Sequence, residues 1–133
     1  MTQEEKDLLL KDLCARLPYG VKVQDELGRI NKLVIGNNDL IRLFYNDFSI
    51  YGEEQISLPY LFPLSSMTEE QYNEFFSYYH SIEMAEVKSS GDYLKAAYIG
   101  DDAKYSWLNS HHFDYRGLIE KGLAIDATGL NIY

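Results

Sequence analysis

The sequence predicts an α+β domain: a small antiparallel sheet of three to four strands packed against a long central helix, with an N-terminal helix and a C-terminal helical hairpin. Three observations carry this expectation. Capping-box patterns open two segments, Thr2–Glu5 and Thr68–Gln71, each leading into apolar residues at helical spacing. Short apolar runs between them are separated by turn-forming Gly, Asn and Asp. The 133 residues, 46% of them apolar, suffice for one buried core and are few for two, so residues 1–133 are read as a single domain.

The elements follow in order. Leu9, Leu10, Leu13, Cys14 and Leu17 give the first helix its apolar face, and Pro18-Tyr19-Gly20 ends it. Candidate strands run over 21–24, 30–35 and 40–45, joined through Asp25-Glu26-Leu27-Gly28 and Gly36-Asn37-Asn38-Asp39, which favours an antiparallel meander. Between Phe48 and Pro63 the prolines at 59 and 63 allow at most one short edge strand. Thr68 then caps a helix expected over about 68–84, with Met67 placed to staple onto Tyr72. Tyr72, Phe75, Phe76, Tyr79 and Ile82 form the stripe that would lie on the sheet. Ser89-Ser90-Gly91 marks a break, and 92–99 fits either a short helix or a strand. Gly100 is expected to end that element, Asp101 or Asp102 to cap a helix carrying Trp107 and Leu108, and a last short helix to run over 115–121 up to Gly122. Leu123, Ala124 and Ile125 add a strand or pack on the core.

Charge narrows the function classes. Twelve Lys and Arg against 21 Asp and Glu give a net charge of −9, which disfavours contact with a nucleic-acid backbone. The acids are scattered rather than stacked along one element, so a DNA-mimicking decoy is also disfavoured. The single cysteine, Cys14, excludes an internal disulfide and is expected to be a small buried hydrophobe. Acidic residues follow the first Met, and no apolar stretch is long enough to span a bilayer, so a cytoplasmic protein without a membrane partner is expected.

Several groups could carry chemistry. His111, His112 and Asp114 combine imidazoles with a carboxylate and, completed by His80 from elsewhere in the fold, would make a metal or acid–base site. Adjacent histidines on a helix diverge by about 100°, so the simpler reading makes one of them a helix C-cap. Asp114 would then cap the next helix through the amides of Arg116 or Gly117. Arg116, beside Phe113 and Tyr115, could grip a small anion. No phosphate-binding loop or framed serine nucleophile is present, and the adjacent acid pairs 53/54, 69/70 and 101/102 are read as solvated or helix-dipole carboxylates.

Tyrosine is the compositional excess, at 12 residues. Tyr72 and Tyr79 read as core, whereas Phe44, Tyr45, Phe48, Tyr51, Tyr60 and Phe62 fall in an irregular segment with more aromatic area than one core needs. Tyr45, Phe48, Tyr51, Tyr60 and Phe62, together with Phe113, Tyr115 and Arg116, are therefore the candidate interaction residues.

Three blocks carry a resemblance: Asp12-Leu13-Cys14-Ala15-Arg16-Leu17-Pro18-Tyr19-Gly20-Val21; Pro63-Leu64-Ser65-Ser66-Met67-Thr68-Glu69-Glu70; and Trp107-Leu108-Asn109 followed by His111-His112-Phe113-Asp114-Tyr115-Arg116-Gly117-Leu118-Ile119. Together they resemble a group of small uncharacterised proteins from Bacteroides-type gut bacteria and their phages or mobile elements. The resemblance implies a bacterial or phage-associated setting and supplies no catalytic residue.

The expectation is thus a noncatalytic accessory or adaptor protein, without a cofactor, that binds another protein through an aromatic surface. The alternatives are an enzyme built on His111, His112 and Asp114, and a small-anion module built on Arg116.

Overall fold

A computed structural model describes residues 2–24, 27–33 and 58–133. Among them run, in order, α1 (Gln3–Arg16), β1 (Lys22–Gln24), β2 (Ile30–Lys32), β3 (Leu58–Pro63), α2 (Glu69–Ser90), α3 (Tyr93–Ser110), β4 (Phe113–Asp114) and β5 (Ile125–Asp126). Single 3-10 turns at Leu17–Tyr19 and Leu64–Ser66 complete the set. The α+β class is as expected. The candidate strand at 40–45 lies outside the described residues.

Both helix starts follow their capping signatures. The Thr2 hydroxyl accepts the Glu5 N–H while the Glu5 carboxylate accepts the Thr2 N–H, and Thr68 and Gln71 repeat the exchange at the head of α2. The buried stripe of α1 is Leu9, Asp12, Leu13 and Arg16, so two charged residues sit where the sequence suggested only apolar ones. Cys14, expected inside, is exposed, because the helix turns the Asp12–Arg16 side inward instead.

The sheet is mixed rather than antiparallel. β1 pairs antiparallel with β2 and with β3, as Val23 opposite Asn31 and Pro59 show, whereas β3 pairs parallel with β4 and β5. The parallel pairs become possible because the hairpin of α2 and α3 is a long crossover that returns the chain to β3 from the same end. Far from being an edge, β3 is the strand that touches three others. Its two prolines remove only the N–H groups of residues 59 and 63. The Phe62 N–H between them still donates to the His112 carbonyl at 2.8 Å, and the Leu61 carbonyl accepts the Ala127 N–H at 2.8 Å.

Among the described residues three clusters make the core. Val21, Leu61, Leu118, Leu123 and Ala124 form the first, Leu9, Leu13 and Val23 the second, and Trp107, Leu108 and Phe113 the third, with Phe62, Met67, Phe75 and Tyr115 packed against the last. Met67 thus serves the Trp107 cluster.

The helical hairpin departs most from expectation. α2 has no fully buried residue and packs chiefly on α3 rather than on the sheet; Tyr72, read as core, is 54% exposed. Gly91 at φ 67° caps α2, and the Asp92 carboxylate accepts the Lys95 N–H to start α3. α3 then runs through Gly100 without a break, leaving Asp101 and Asp102 inside the helix. Gly100 is there for contact: a Cβ on it would meet the Glu83 carboxylate oxygen at 2.8 Å and the Glu83 Cβ at 3.3 Å. Ala96, Gly100, Ala103 and Trp107 recur every three or four residues as the buried seam against α2.

No helix forms over 115–121. Gly117 has φ 72°, outside the right-handed helical range, and the stretch closes instead as one turn with Leu123 N–H on the Leu118 carbonyl and Gly122 N–H on that of Ile119. The hairpin expected at the C-terminal end is therefore built from α2 and α3. Replacing Gly100 tests the seam. Gly100→Leu should destabilise the fold by about 1–3 kcal/mol in urea unfolding, while Gly100→Ala should change stability far less because its helix-propensity gain offsets the close contact with Glu83.

Candidate functional site

The region around α1, the end of α3 and the turn after β4 is organised by one carboxylate. Asp12, fully buried, accepts from Arg16 Nε at 2.9 Å on one oxygen and from Arg116 Nη1 at 2.7 Å on the other. Arg16 is itself fully buried and donates through Nη2 to the Phe113 carbonyl at 2.6 Å, while its Nη1 has no hydrogen-bond partner. The Tyr115 ring lies beside both guanidiniums, with Arg16 at 5.3 Å and Arg116 at 4.7 Å from its centroid. A second buried acid, Asp114, accepts N–H groups from Arg116, Leu118 and Ile119 at 2.9–3.3 Å, so it caps a turn rather than the helix expected there, through Arg116 but not Gly117.

The two histidines diverge. His111 caps α3 and stacks on Trp107 at 3.8 Å, with Nδ1 2.9 Å from the Trp107 carbonyl and Nε2 3.6 Å from Glu74. His112 takes a left-handed conformation at φ 63° and stacks on Tyr133 at 3.6 Å. Burial, aided by the positive charge of Arg16, pushes its pKa down to about 4. Burial likewise raises that of the Tyr133 hydroxyl, to about 12; it donates to the Tyr60 carbonyl and accepts the Lys22 N–H. His80 stacks on Phe76 of α2. Among the described residues no three His, Cys, Asp or Glu side chains converge as a metal site, so His111, His112, Asp114 and His80 are not brought together.

Of the candidate interaction residues, Tyr45, Phe48 and Tyr51 lie outside the described residues. Tyr60 and Phe113, at 5% and 2% exposure, are core side chains and offer no docking surface, and the partly buried Phe62 packs on the Trp107 cluster. β3 is interior to the sheet, and its aromatics go where the sheet goes. Tyr115 and Arg116 remain partly exposed.

The exposed apolar surface lies elsewhere. Leu94, Tyr98 and Tyr105 follow one another at spacings of four and seven on the side of α3 about 180° from the α2 seam, and Leu94 and Tyr98 are 87% and 78% exposed. Tyr93 beside them is 75% exposed. Helical periodicity in 92–110 read without a break at Gly100 would have revealed this stripe. No family model, curated protein or solved structure matches the chain. No helix among the described residues is long and apolar enough to cross a membrane.

Two predictions follow from these geometries. Asp12→Ala leaves two guanidiniums without their shared acceptor and should cost about 3–5 kcal/mol in urea unfolding. His112 binds its proton more weakly folded than unfolded, so between about pH 6.5 and 4 the unfolded chain takes up a proton that the folded one refuses. Stability should be full above that window and fall through it by about 3 kcal/mol as the pH drops. His112→Asn, which tolerates the left-handed backbone, should flatten this part of the profile, and an unchanged profile would assign the pH dependence to other groups.

Proposed function

We propose that this chain is a noncatalytic adaptor or accessory domain that binds another protein through the outer face of its helical hairpin. The observation that carries the reading is the stripe of Leu94, Tyr98 and Tyr105, left in water on a helix whose opposite side packs against α2. Exposing so much contiguous apolar and aromatic area costs solubility unless a partner covers it. Tyrosine suits that role because its ring adds buried area and its hydroxyl keeps the free surface wetted. Flanking carboxylates at Asp101 and Asp102 give the face a polar rim. A bacterial or phage-associated setting in Bacteroides-type gut bacteria, in the cytoplasm, remains part of the proposal and rests on the sequence resemblance.

The acid–base or metal enzyme is the weaker reading, because Asp114 spends its oxygens on backbone amides and the two imidazoles stack on different rings. The test uses the wild-type protein and the double variant Leu94→Glu/Tyr98→Glu as affinity baits in a Bacteroides-type lysate, followed by hydrogen exchange on the complex formed with the captured protein. The expected result is a partner retained by the wild type, lost at least tenfold from the variant, and protecting residues 93–105 from exchange. Equal capture by both baits, with unchanged circular dichroism, would remove this face from the proposal.

A further inference from the structure

Beside the Asp12 carboxylate three elements enclose an open cleft of about 520 Å³, lined by Lys11 and Ala15 from α1, Tyr105 and Asn109 from α3, and Tyr115 and Arg116 from the turn after β4. Its volume falls in the range of small-molecule sites. Among the described residues the lining contains two cations and no carboxylate, in a chain whose net charge is −9. The hydrogen bonding behind it is incomplete. Arg16 and Arg116 share the single carboxylate of Asp12, and the buried Arg16 keeps one nitrogen without a partner. Asp114, the other buried acid here, offsets charge but spends its oxygens on the amides of 116, 118 and 119. A buried guanidinium nitrogen without an acceptor is costly, and an anion held on this side would offset part of that cost.

The remaining lining says what kind of anion fits. Arg116 uses Nη1 on Asp12, so the rest of its planar fork is available to a two-oxygen acceptor. Asn109 accepts the Tyr115 hydroxyl on its carbonyl oxygen at 2.8 Å, which leaves its amide N–H groups as donors. The Tyr105 and Tyr115 rings, 5.1 Å apart and tilted by 46°, form a wall suited to a flat apolar body. We propose that this cleft binds a small ligand carrying one oxyanion, a carboxylate or a phosphate monoester, on a planar aromatic body. A polyanion such as nucleic acid is disfavoured by the repulsion of the surrounding acidic surface. This site does not depend on the adaptor reading.

The test is a titration of the full chain at low salt with benzoate, phenyl phosphate and inorganic phosphate, followed by amide chemical shifts. Saturable binding of benzoate or phenyl phosphate with shifts at 105, 109, 115 and 116 is expected, and the preferred aryl anion separates carboxylate from phosphate. Lys11→Met replaces an exposed side chain without touching the Asp12 network, and Tyr105→Ala removes the ring; each should weaken binding by about tenfold. Arg116→Lys, which keeps the charge and loses the fork, should weaken it as well. Absence of saturation by either aryl anion in the millimolar range overturns the proposal. So does binding of inorganic phosphate alone, or aryl-anion binding that is as strong in Lys11→Met and Tyr105→Ala as in the wild type.

Discussion

One buried carboxylate, held between two arginines from opposite ends of the sequence, sets the arrangement of everything around it. Asp12 joins Arg16, four residues on along the same helix, to Arg116, 104 residues away. Arg16 in turn holds the Phe113 carbonyl and so reaches β4. Buried ion pairs are weak contributors to net stability when compared with apolar replacements of the same shape, but they tolerate few alternative geometries. This one determines where α1 sits against the turn after β4, because any shift of either element leaves charge in the interior without an acceptor.

From that anchor the two functional proposals follow along α3. Its base packs Trp107, Leu108 and Asn109 inward next to the ion network, and among the described residues its other end, bearing the exposed Leu94 and Tyr98, packs chiefly on α2. Tyr105 belongs to both regions, as the last ring of the exposed stripe and the first wall of the cleft. A rigid base and a hairpin that projects from it suit a domain that presents one helix face to a partner while holding a small anion at its root.

Local signals were legible in the sequence wherever a single turn of backbone decides the outcome. Both capping boxes, the stop at Gly91, the C-cap at His111 and the Asp114 cap are short-range hydrogen-bond patterns, and each formed as its residues dictate. What could not be read depends on distant partners. Asp12 and Arg16 were not placed on the inner face of the first helix because Arg116 and the Phe113 carbonyl, which make their burial tolerable, lie about a hundred residues away. Gly100 looked like a helix stop because its reason, the approach of Glu83, is on another helix. Pro59 and Pro63 looked like edge markers because the sheet's parallel pairs form only after the hairpin returns the chain to β3. Of the aromatic segment only its end at β3 lies among the described residues; there Tyr60 is buried and Phe62 packs on the Trp107 cluster, while α3 leaves Leu94 and Tyr98 exposed.

The account stands most directly on the coupling between Asp12 and Arg116. A double-mutant cycle with Asp12→Asn, Arg116→Gln and their combination, measured by urea unfolding at pH 7, reads that coupling as a free energy. We expect about 1.5–3 kcal/mol, with the double variant less destabilised than the sum of the singles. Additive effects, within about 0.5 kcal/mol, would mean that the two ends of the sequence are held together by something other than this carboxylate.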